Sequence, residues 1–189
     1  MFSSLFKKTA KLLLGNYGLY RVYRFDLTES IPPHEPMRES KLEFIRLSDS
    51  HLNRYMDTSL AGSFWYDGDE AFGFGIISGD ELIAVQWYWS IGNRYSQRES
   101  WPLVQGEVKS VHIETIPRYR GKGLAKALKL YSMQALKDQG YTAVLSRVWH
   151  NHMSSIHMNN ALGAQQIGWI FKFSPMGKFQ PIRLRWLVQ

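Results

Sequence analysis

The feature that most constrains this chain is a short join between two segments of different period. It reads Ile116-Pro117-Arg118-Tyr119-Arg120-Gly121-Lys122-Gly123-Leu124. Before it, residues 108–116 alternate, the period of a strand. After it, Leu124, Leu128, Tyr131 and Leu136 recur at helical spacing, Lys137 falls in the last turn and Gly140 at the stop. Two glycines let the backbone turn tightly and approach a ligand closely. The helix that follows starts with unpaired N–H groups and the positive end of its dipole, so the join is an anion site suited to a pyrophosphate. Arg118, Arg120 and Lys122 add positive charge. No Gly-Lys-Ser or Gly-Lys-Thr follows, which excludes a Walker loop, and a dinucleotide fingerprint needs a third glycine.

The rest of the sequence fits one α/β domain. Residues 41–47 alternate as a strand, and Ser48 or Asp49 can cap a helix running to about Leu60. Residues 71–77 and 82–89 read as strands joined by Ser78-Gly79-Asp80-Glu81, which has hairpin chemistry. Residues 92–105 read as a long loop. Residues 141–148 read as a strand, 154–162 as a short helix, and 166–173 and 182–188 as two further strands. This order predicts a mixed, mostly antiparallel sheet with helices on both faces.

Residues 2–14 place Phe2, Leu5, Phe6, Leu12 and Leu13 at helical spacing among lysines, and Ile31-Pro32-Pro33-His34-Glu35-Pro36 reads as a linker. The expected organisation is a helical extension over 1–36 followed by a catalytic domain over 37–189. The extension is expected to dock on the body rather than on a membrane, and a homodimer stays open.

The formal net charge is +7, and no acidic residue follows Asp138. Such asymmetry suits an anionic partner. There is no cysteine, which excludes disulfides and a cysteine nucleophile and fits a cytoplasmic location. No apolar run approaches the roughly 18 residues that cross a bilayer. His150, His152 and His157 cluster, but no acidic ligand accompanies them, so no metal site is expected. Trp87, Trp89 and Trp101 could stack bases, yet Trp87 and Trp89 share one strand face and suit a core or pocket better than nucleic acid.

Arg118-x-x-Gly121-x-Gly123, with Pro117 before it and Leu124-Ala125-x-x-Leu128 after it, resembles the acetyl-CoA pyrophosphate motif of the GNAT acetyltransferases. Ser155-Ile156-x-Met158-x-x-Ala161-Leu162-Gly163 resembles the helix before that family's sixth strand, and the likeness runs over roughly residues 41–188. It implies an N-acetyltransferase that moves the acetyl group of acetyl-CoA to a primary amine. Glu114, Thr115 and Ile116 would lie along the pantetheine arm, and a backbone N–H there would polarise the thioester carbonyl. Tyr119, Arg120, Gly121, Lys122, Gly123 and Leu124 would hold the pyrophosphate. Asn151 stands one residue from the family's usual Asn, with His152 in the expected place. Counting seven on from either reaches Asn159 or Met158, so the family's usual tyrosine acid is missing. The resemblance offers Glu107 and His112 as general base, Glu107 slightly ahead and Glu114 third. Residues 53–66 and 92–105 would meet the acceptor. Their Trp, Tyr and Arg content suits an amino sugar or nucleotide-linked amino sugar, and equally a peptide amine. A CoA-binding regulatory module without turnover is a further alternative.

Overall fold

The structure is a computed structural model that describes residues 17–33, 41–96, 101–174 and 182–188. In chain order its strands and α-helices are β1 (Tyr17–Asp26), β2 (Leu42–Arg46), α1 (Asp49–Arg54), β3 (Ala71–Ser78), β4 (Glu81–Ser90), β5 (Glu107–Thr115), α2 (Leu124–Asp138), β6 (Ala143–Trp149), α3 (Met153–Ala161), β7 (Gln165–Phe173) and β8 (Ile182–Leu187). Two 3-10 turns cover Ala61–Tyr66 and Pro117–Tyr119. The chain forms two compact units, one of residues 25–146 and one of residues 1–24 with 147–189.

In the larger unit β2, β3, β4 and β5 pair antiparallel in sequence order, and β5 then pairs parallel with β6 from Glu107↔Ala143 to Ser110↔Ser146. The β3–β4 turn is tight because Gly79 takes φ 62°, a conformation that costs glycine nothing. On one face Phe74, Tyr88 and Gln86 are fully buried, and α2 packs there through Tyr131 and Ser132. The Tyr88 hydroxyl and Ser132 Oγ are 2.6 Å apart, while burial raises the tyrosine pKa. On the other face Trp87 lies against Gly73, where an added Cβ would meet its ring at 2.6 Å. The 3-10 turn Ala61–Tyr66 lies over that face, since the Trp89 indole N–H donates to the Tyr66 carbonyl at 2.8 Å. The expected mixed sheet with helical cover on both faces is therefore present in this unit.

Lys129 on α2 is 1% exposed, with its ammonium 4.3 Å from the centre of the Phe25 ring. Burial pushes its pKa down to about 7, because desolvation penalises the charged form.

In the smaller unit β1, β7 and β8 pair antiparallel, with β7 in the middle. Tyr23, Val148 and Ile156 form a buried cluster, so α3 packs on this unit through Ile156. Here the structure corrects the expected helical extension. Tyr17–Asp26 is a strand, held to β7 from Tyr17↔Phe173 to Arg24↔Gln165. Aromatic and β-branched residues at Tyr17, Tyr20, Val22, Tyr23 and Phe25 favour extended backbone. The amphipathic pattern of residues 2–14 lies outside the described residues.

The helix expected to reach Leu60 is also shorter. α1 ends at Arg54, and turns carry the chain to Ala61.

Candidate active site

The site is built on β5 and the turn that follows it. Gly121 and Gly123 both take φ 76°, and Gly123 caps α2. A Cβ added to either would meet nothing within 4 Å, so the turn presents open backbone at the start of a 15-residue helix. Backbone N–H groups in that arrangement suit a diphosphate. The basic side chains around it have distinct tasks. Arg118 forms an ion pair with Glu81, which raises its pKa. Arg120 Nε donates to the Thr115 carbonyl at 2.8 Å and ties the turn to the end of β5. Lys122 lies 5.2 Å from the Tyr119 ring centre. Leu124, the first residue of α2, is 3% exposed and roots the helix in the core.

The ladder between β4 and β5 sorts the backbone groups expected along the cofactor arm. Ile116 N–H donates to the Ile83 carbonyl at 3.0 Å, so it faces β4 rather than the free edge. Alternation along an antiparallel ladder turns Glu114 the same way and leaves Ile113 and Thr115 pointing to the opposite edge. That edge loses its partner early, because the β5–β6 register ends at Ser110↔Ser146. Among the expected residues Thr115 thus presents its backbone outward and Ile116 does not. Ile113 joins it, and only the pairing register identifies it.

A β-bulge on β5 shifts the side-chain parity. Trp87 pairs with His112 and Tyr88 with Ser110, so Val111 is the extra residue. His112 and Glu114 consequently lie on the Trp87–Trp89 face. His112 Nε2 and Glu114 Oε2 are 3.2 Å apart, and the two side chains are 27% and 37% exposed. A carboxylate there receives the Nε2 proton and leaves Nδ1 as the basic nitrogen. The Tyr66 ring stacks on the imidazole at 4.7 Å with planes 15° apart.

Glu107 sits at the other end of β5, where it accepts from Val104 N–H at 3.2 Å. Five residues of strand, roughly 16 Å, separate it from His112. The two candidate bases do not come together; His112 instead comes together with Glu114. Asn151 is an exposed turn residue of the smaller unit, and His152 is the N-cap of α3. Asn159 is 1% exposed, and its amide donates to the Ser155 carbonyl at 2.7 Å, a structural role.

Above His112 the expected acceptor segments meet in an aromatic cluster. Trp65 lies 5.1 Å from Tyr66, 5.2 Å from Tyr95 and 6.1 Å from Trp89. Trp65 is 60% exposed, although three aromatic neighbours surround it. The loop bearing Tyr95 is latched from below, with Lys109 Nζ donating to the Ser96 carbonyl at 2.7 Å and the Asn93 amide to the Asp69 carbonyl at 2.8 Å. Sequence reasoning named both segments but not the stack of Tyr66 on His112, because 46 residues separate the partners.

The Acetyltransferase (GNAT) family model matches residues 19–164. The chain belongs to the GNAT acetyltransferase family. Its members are acyltransferases that use acetyl-CoA. The match begins inside β1, so the matched region includes most of that strand. N-acetyltransferase family 8 member 2 of Rattus norvegicus is 28% identical over 125 residues, covering 66% of this chain and 46% of the relative. Probable N-acetyltransferase family 8 member 5 of Mus musculus is 30% identical over 82 residues, covering 39% of this chain and 36% of the relative. The chain spans less than half the length of these relatives. Among solved structures, a GNAT-family protein from Novosphingobium aromaticivorans matches with TM-score 0.61 at 14% identity, covering 85% of this chain and 65% of that one. The tandem GNAT protein from the clavulanic acid biosynthesis pathway matches with TM-score 0.59 at 12% identity, covering 94% and 59%. These likenesses establish the GNAT fold. No described helix is long and apolar enough to cross a membrane.

Proposed function

We propose that this GNAT domain transfers the acetyl group of acetyl-CoA to a primary amine of a small molecule, with His112 as general base. The observation that carries the reading is the orientation of His112. Glu114 fixes its Nε2–H, Tyr66 covers its ring, and Nδ1 has no partner among the described residues. Acetyl-CoA supplies an acetyl thioester, whose C–S bond breaks as the C–N bond forms, and CoA leaves as a thiolate that takes its proton from water. Gly121 and Gly123 leave their backbone bare to receive the diphosphate, with the N–H groups from Tyr119 to Leu124 as donors. The outward N–H groups of Ile113 and Thr115 line the edge where the pantetheine arm and the thioester carbonyl lie. His112 Nδ1 takes the proton that the amine loses, and Glu114 steadies the imidazolium that results.

The acceptor lies against Trp65, Tyr66 and Tyr95. Flat aromatic faces suit the apolar face of a sugar ring or another planar group, which supports an amino sugar as acceptor. The test is acetylation of an amino-sugar panel followed by mass spectrometry, with rates measured across pH. His112→Ala is expected to lower turnover on the order of 100-fold. Its acetyl-CoA affinity should stay near the parental value. A parental rate in that variant, or a greater loss in Glu107→Gln, contradicts the assignment.

A further inference from the structure

The smaller unit carries an apolar face for which acetyl transfer has no use. The β1–β7–β8 register stacks three rows across one side of the sheet: Tyr17, Phe173 and Ile182, then Leu19, Phe171 and Leu184, then Arg21, Trp169 and Trp186. Eight of these nine side chains are apolar or aromatic. Tyr17, Ile182, Leu184 and Trp186 are 46%, 45%, 51% and 44% exposed. The face is ordered all the same. Trp169 and Trp186 stack at 6.4 Å, Phe171 and Phe173 at 5.2 Å, and the Arg21 guanidinium lies 5.0 Å from the Trp169 ring centre. A contiguous apolar patch of this kind, exposed at Tyr17, Ile182, Leu184 and Trp186 and half-buried at the other five side chains, marks an interaction surface.

Charge decides what covers it. All 16 acidic residues of the sequence lie within residues 25–146, so the smaller unit has none. Its basic residues include Arg21, Arg24, Arg147, Lys172, Arg183 and Arg185. On β8 the arginines alternate with Ile182, Leu184 and Trp186, so their long stems can reach round the edge strand while the apolar row faces a partner. A second copy docking face to face would bring the same excess of positive charge against itself, which opposes association. Nucleic acid would need cations across the contact face, where Arg21 is the only one among the described residues of the three rows. An anionic lipid surface satisfies both halves, with apolar and aromatic groups at the acyl boundary and arginines among the headgroups.

We propose that the β1–β7–β8 face docks on an anionic membrane surface, with Leu184 and Trp186 entering the interface and Arg183 and Arg185 contacting lipid headgroups. The test is co-sedimentation of the full chain with vesicles of phosphatidylcholine alone or with about one-third phosphatidylserine. Binding to the anionic vesicles should exceed binding to the neutral ones by about tenfold or more and fall as salt rises. Leu184→Ser with Trp186→Ser, and separately Arg183→Gln with Arg185→Gln, should each lower it by about tenfold. All four positions are exposed, so both variants should keep the parental melting temperature. Equal binding to both vesicle types, no binding to either, or binding that neither double variant lowers overturns the proposal. So does self-association through this face by sedimentation velocity, or duplex DNA that binds while vesicles do not.

Discussion

The two units teach different things about what a sequence makes visible. The larger holds every acidic residue, buries Phe74, Trp87, Tyr88 and Trp89 against α2 and the Ala61–Tyr66 turn, and carries the motif of the family. The smaller has only basic charges and leaves four large apolar side chains of one sheet face about half exposed. Close packing and local turn chemistry govern the first, and surface character governs the second. Substitutions in the larger unit should therefore act through burial and cost more than equally drastic ones in the smaller.

The largest expected effect is at Lys129. Its folded pKa is depressed to about 7 from 10.5, so between those values the unfolded chain binds more protons than the folded one. Stability then rises with pH across that window, by about 1.4 kcal/mol per pH unit at most, until ionisation of Tyr88 in the unfolded chain opposes it near pH 10. Lys129→Met should flatten the rise in denaturant titrations at successive pH values. An equally steep rise in the variant would show that the slope arises elsewhere.

The comparison sharpens with a pair of glycines. At Gly73 a Cβ meets the Trp87 ring at 2.6 Å and Leu47 Cβ at 3.1 Å, and Trp87 is 1% exposed. Gly73→Ala should cost about 2–3 kcal/mol through overpacking. At Gly163 in the smaller unit a Cβ meets nothing within 4 Å, and only φ 77° resists substitution. Gly163→Ala should cost about 1 kcal/mol. Equal costs by urea unfolding would break the contrast.

The same division explains how much was legible. The larger unit's strands, its hairpin at Gly79 and its helix from Leu124 follow from alternation, turn residues and an apolar stripe, all of them local signals. β1 was not legible, because it is apolar on both sides. Val22 faces the side of Gly168, Leu19 the side of Phe171, and no period of two emerges. The glycine turn of the candidate site was plain in the sequence, but the surroundings of the candidate bases were not. The bulge at Val111 changes which β5 side chains share a face, and Tyr66 reaches His112 only through the tertiary fold. The preference for Glu107 rests on its spacing before Pro117, whereas the proposal of His112 rests on the bulge and the stacking ring.

The central claim is that acetyl-CoA is held by the bare backbone between β5 and α2. Gly121 and Gly163 make a matched pair for testing it, one in each unit, with φ 76° and 77° and open space at both. Isothermal titration of acetyl-CoA into Gly121→Asp and Gly163→Asp measures the claim directly, since the backbone strain is alike and only the position differs. The account predicts that Gly121→Asp weakens binding on the order of 100-fold, because its carboxylate occupies and repels the diphosphate position, while Gly163→Asp binds as the parent does. Parental affinity in Gly121→Asp, or equal losses in both variants, would contradict it.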